Sequence, residues 1–98
     1  MVDSMEELEA QARRQLNRML DLGDQMASII GRETSEDGSI TAEVDANGAL
    51  RGLEFTTAVT RLSPAQFEQA LISTAAAAAQ AAFTRRGELV AAFNDDMA

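Results

Sequence analysis

The chain has 98 residues and a mass of 10.5 kDa, which bounds it to a single domain over 1–98. Sixteen acidic residues face eight basic ones, all of them Arg, for a net charge of -8; His, Lys, Cys, Tyr and Trp are absent. That inventory removes disulfides, thiolate zinc sites and the usual general bases and nucleophiles, so no catalytic, cofactor-binding or metal-ligating residue is assigned and the chain is read as a non-enzyme.

Hydrophobic residues make up 46%, too many for a disordered acidic tail, and the only aromatics are four Phe. The core must therefore be built from Ala, Leu, Ile, Val and Met. The start, Met1-Val2-Asp3-Ser4-Met5-Glu6-Glu7, lacks the basic and apolar regions of a signal peptide. No apolar run, that of Ala75 to Ala79 included, approaches the roughly 20 residues that span a bilayer. The expected location is cytoplasmic.

The first segment predicts one long helix over 4–30. Ser4 followed by Glu7 is a capping-box pair, and Glu6, Glu7 and Glu9 suit the positive end of a helix dipole. Met5, Ala12, Met19 and Met26 recur every seven residues, and Leu8, Gln15, Leu22 and Ile29 fill the companion positions. Gly31 is read as the stop. Such a helix would be about 40 Å long, whereas a compact chain of this size has a radius of gyration of about 13 Å. The helix must overhang its own domain, so Met5, Leu8, Ala12, Met19, Leu22, Met26 and Ile29 are the expected seam with a second copy of the chain.

A different period follows. Ile40, Ala42, Val44 and Ala46 alternate with polar residues, which predicts a strand over 39–46 with one buried face. Asn47-Gly48 is a hairpin signal for a two-residue type I′ turn into a strand over 49–57. That turn would pair Ala46 with Ala49, Val44 with Arg51, Ala42 with Leu53 and Ile40 with Phe55, three of the four pairs apolar on both sides. Gly52 is a candidate bulge. Before Asp37-Gly38, residues 32–36 are the candidate for a polar first strand at the sheet edge. A calcium site at Asp45-Ala46-Asn47-Gly48 lacks the remaining ligands of an EF-hand loop, so the segment is read as a turn.

The last helix is the best-marked element. Ser63 is the expected N-cap, Pro64 the first helical residue and Gln66 the third residue of a capping box; Leu62 and Phe67 hold the hydrophobic-staple positions. The helix is predicted over 64–86, with an extension to 93 left open. Phe67, Leu71, Thr74, Ala75, Ala78 and Ala82 share one face, and its small side chains allow a close approach to the sheet. The fold class is thus α+β: a long N-terminal helix, a three-stranded antiparallel meander, and an Ala-rich C-terminal helix covering the sheet.

Arg13, Arg14 and Arg18 on the first helix and Arg85 and Arg86 on the last are the candidates for phosphate contact. No third of the chain is basic overall: residues 1–31 carry net -3, 32–62 net -3 and 63–98 net -2.

The strand, turn and strand from Ile40 through Asn47-Gly48 to Phe55, together with Leu62-Ser63-Pro64, Phe67, Ala70-Leu71-Ile72 and the Ala run, resemble the bacterial YbaB/EbfC nucleoid-associated family across nearly the whole chain. The resemblance implies a YbaB-like intertwined homodimer with projecting helices that binds DNA with little sequence preference at the nucleoid. Thr56-Thr57 stand where family members often have Asp-Pro. High Ala and Arg-without-Lys usage suits a high-GC genome and an actinobacterial member. In that branch the resemblance also implies an alternative, a protein-interaction adaptor or chaperone linked to type VII secretion with DNA binding lost.

Overall fold

The computed structural model describes residues 4–97. Helix α1 spans Ser4–Ala27, strands β1, β2 and β3 span Ile30–Thr34, Ile40–Asp45 and Leu50–Phe55, a 3-10 turn spans Thr57–Arg61, and helix α2 spans Pro64–Met97. The strands form one antiparallel sheet in the order β1-β2-β3. The molecule measures 73 × 19 × 15 Å with a radius of gyration of 20.4 Å, well above the roughly 13 Å of a compact chain this long.

Helix α1 ends at Ala27, three residues short of the expected 30. The last turn tightens, with the amide of Ile29 donating to the Met26 carbonyl at 3.2 Å, and the Ser28 hydroxyl donates to the Gln25 carbonyl at 2.8 Å. The chain then turns, and β-branched Ile30 opens β1. Gly31 is therefore no helix stop. It sits buried in β1, and a Cβ there would run into the backbone of Ala78 and Ala82. This close approach is what the Ala-rich stretch is for: Ala78 and Ala82 are fully buried against the sheet, with Thr74 beside them and Phe67, Leu71 and Ala75 half-buried on the same face.

Strand β1 occupies 30–34 rather than 32–36, which pairs Gly31 with Val44 and Glu33 with Ala42. The β1–β2 turn is organised by Asp37, whose carboxylate accepts from the hydroxyls of Ser35 and Ser39 and from the Ser39 amide, at 2.7, 2.7 and 3.0 Å. These donors, led by Ser39, lower its pKa to about 2.

The β2–β3 hairpin keeps the expected pairs Ile40–Phe55 and Ala42–Leu53 but not the expected turn. Only Gly48 has positive φ (83°), so the two-residue type I′ geometry is absent. The Asp45 amide instead donates to the Ala49 carbonyl at 2.9 Å, closing a three-residue loop. The Asp45 carboxylate explains the choice. It accepts from the amides of Asn47 and Ala49 at 2.9 and 3.0 Å and from Arg51 Nε at 2.8 Å, and these bonds, the Ala49 amide first, hold its pKa below the usual carboxylate value. The longer loop moves Val44 opposite Leu50, and Arg51 becomes the extra residue of a bulge between that pair and Glu43–Gly52. Strand β3 ends at Phe55, two residues early, because Thr56 caps the 3-10 turn through its hydroxyl.

The two faces of the sheet differ. The outer face carries Thr34 beside Thr41, and Arg32 between Glu43 and Glu54, the latter at 3.1 Å. The inner face carries Ile40, Ala42 and Val44, all buried under α2. A helix about 10 Å across covers two strands spaced about 4.8 Å apart. Helix α2 lies over β1 and β2, and β3 extends past it, leaving Leu50 and Phe55 half exposed.

Helix α2 starts as expected. The Ser63 amide donates to Gln66 Oε1 at 2.9 Å and the Gln66 amide to Ser63 Oγ at 3.1 Å. It continues without a break through Gly87 and past 93 to Met97. Its distal part runs beside the C-terminal third of α1, where Leu22 and Met26 are half-buried and Met26 packs on Ile29, Ala46 and Ala82.

Candidate nucleic-acid interface

The two helices make an arm that projects from the sheet. Its base is where α1 enters β1, and there Arg85 Nη1 donates to the Ile30 carbonyl at 2.6 Å while Arg86 Nη1 donates to the Ala46 carbonyl at 3.4 Å. Farther out, Arg18 Nη1 donates to the Asp96 carbonyl at 3.3 Å. Beyond that level no other described helix or strand runs beside α1, whose residues 4–17 make about 21 Å of helix. Arg13 and Arg14 lie on this extension and form no hydrogen bond or ion pair among the described residues.

The five candidate cations are thus strung along one arm rather than gathered in a groove within the chain. Arg85 and Arg86 also stitch α2 to the sheet. Each guanidinium has five N–H donors, and one carbonyl contact leaves donors for a phosphate. Arg32 and Arg51 are held by sheet carboxylates: Arg32 by Glu43 and Glu54, which raise its pKa further, and Arg51 by Asp45 at 2.8 Å.

The expected seam divides in two. Met5, Leu8, Ala12 and Met19 are exposed on α1, whereas Leu22 and Met26 turn toward α2. Ile29 lies outside the helix and is buried in the core with Ala46 and Ala82. A second apolar surface escaped the sequence reading. Leu50, Leu53 and Phe55 on β3 form a shelf beside Ile72 and Phe83 on α2, and all five are at least 36% exposed. The pairing of Leu53 with Ala42 and Phe55 with Ile40, expected from the turn, already places both on the inner face. The unforeseen part was that one helix would leave their strand uncovered.

An open cleft of about 780 Å³ lies on the other side of α2, between the β1–β2 turn and Gln66, Gln69 and Ser73. No group of three or more carboxylates placed to hold a metal occurs among the described residues.

A small sheet under one helix, with a second helix projecting beside it and Arg along the arm, defines a class of small α+β proteins in which the sheet is a base and the helices reach outward. The model of the YbaB/EbfC DNA-binding family matches residues 1–97, and the chain belongs to that family. Among solved structures, an uncharacterized protein from Helicobacter pylori, HP0035, is similar in fold, with a TM-score of 0.65 at 18% identity over 96% of this chain and 97% of that one. No curated protein matches.

Proposed function

We propose that this protein is a nucleoid-associated protein of the cytoplasm that binds duplex DNA as a homodimer with little sequence preference. The match to a DNA-binding family over residues 1–97 carries the reading. The Arg arrangement supports it: Arg13 and Arg14 stand on a projecting helix, where they reach phosphates without disturbing the sheet. The β3–α2 shelf, with Leu50, Leu53, Phe55, Ile72 and Phe83, is the surface that a homodimer covers, since apolar patches of this kind mark association sites. Two shelves meeting about a two-fold axis would set two arms on one particle, which concentrates Arg that is sparse in a single chain.

Binding is electrostatic on this reading, so affinity falls steeply as salt rises. A mobility-shift assay with unrelated duplexes at low salt should give similar retardation for each. Absence of any shift would end the proposal. Arg13→Ala with Arg14→Ala should weaken binding equally on all duplexes and reduce the salt slope by about 1 per lost phosphate contact, with the melting temperature unchanged.

A further inference from the structure

Every residue of α1 from Ser4 to Asp21 is exposed, and the exposed segment carries a continuous apolar stripe. Met5, Leu8, Leu16 and Met19 are 64, 60, 53 and 59% exposed, and at about 100° per residue all lie within about 40° of Ala12. The stripe reads the same in both directions. Leu8 and Leu16 stand four residues either side of Ala12, and Met5 and Met19 stand seven either side. Two copies laid antiparallel with Ala12 at the crossing bring Leu8 to the level of Leu16 and Met5 to the level of Met19 at both ends. The small Ala12 lets the helices approach at the centre.

Charge selects the same orientation. The segment is acidic at Glu6, Glu7 and Glu9 and basic at Arg13, Arg14 and Arg18. A parallel pair sets acid beside acid and Arg beside Arg. In an antiparallel two-fold pair each flank of the stripe faces the same flank of the other copy. Glu9 and Arg13 share one flank, so each copy's Glu9 meets the other copy's Arg13 within one turn of the crossing.

We propose that residues 4–19 of α1 associate antiparallel with the same segment of a second copy, centred on Ala12. This contact is separate from the β3–α2 shelf and goes beyond DNA binding: with both surfaces engaged, pairs of chains are joined arm to arm into larger assemblies. Five side chains per copy make an interface of the small, transient class, below about 1,200 Å², which calls for trapping rather than a static mass measurement.

The chain has no Cys, so introduced thiols report alone. Under mild oxidation and without DNA, Ala12→Cys should yield a disulfide-linked species of twice the 10.5 kDa chain mass. Ala10→Cys, on the opposite side of the helix, should not. Met5→Cys and Met19→Cys should each fail to link alone and should link when mixed. Glu9→Arg should abolish the Ala12→Cys link, and adding Arg13→Glu should restore it. Linking of Met5→Cys to itself, equal linking of Ala10→Cys, or no link at Ala12→Cys each overturns the proposal. None of these outcomes reads DNA binding, so the two proposals fail separately.

Discussion

The contact between α2 and strands β1 and β2 is the reverse of the outer half of α1. In the first, Gly31 meets Ala78 and Ala82 so closely that no side chain fits between, and the surfaces complete one another within a single chain. In the second, large flexible side chains, Met5, Leu8, Leu16 and Met19, stand in solvent with no residue of α1 fully buried. Small residues at a contact fix geometry, because no rotamer can adjust. Met and Leu on an isolated helix keep adaptable surface available to a partner. The fold is thus anchored at one end of the molecule and left open at the other.

The sharpest way to break the anchored end is Gly31→Val. The new side chain collides with the α2 backbone, and stability should fall by about 3 kcal/mol, at the upper end of overpacking costs, in urea unfolding at fixed protein concentration. Ser63→Ala removes one arm of the capping box that starts the covering helix and should cost about 1 kcal/mol. Gly87→Ala tests the base of the arm. Gly87 is exposed in the interior of α2 with nothing within 4 Å of an added Cβ, so the change should stabilise by roughly 0.5–1 kcal/mol and raise the melting temperature.

The smallest effect is one of pH. The folded pKa of Asp37 is lowered to about 2, so its contribution is complete above the unfolded carboxylate value of about 3.9 and is lost as pH falls through about 2. Acid titration of stability in Asp37→Asn should be shallower over that window than in the parent chain.

Much of the anchored end was legible in the sequence, because its signals are local and periodic. Alternation together with the turn position at Asn47-Gly48 points to Ile40–Phe55 and Ala42–Leu53, and Ser63-Pro64 marks the start of α2. The misread positions are those where two elements or two turn types accept the same residues. Ile29 fits a helix seam as well as a core, and the heptad count ran through it although Ser28 had already ended the helix. Asn47-Gly48 suits a two-residue turn, but the Asp45 carboxylate favours a longer one and displaces Arg51 into a bulge. The extension of α2 past Gly87, which the sequence leaves open, runs on to Met97. The arm was less legible still. Arg85 and Arg86 were chosen for their charge, and no sequence pattern shows that they reach the carbonyls of Ile30 and Ala46 across the fold.

The outer face of the sheet has its own consequence for how a polyanion arrives. Arg32 lies half exposed between Glu43 and Glu54, so that ladder sets two carboxylates against one guanidinium. On the proposed DNA-binding reading, that surplus disfavours phosphate at this face of the sheet.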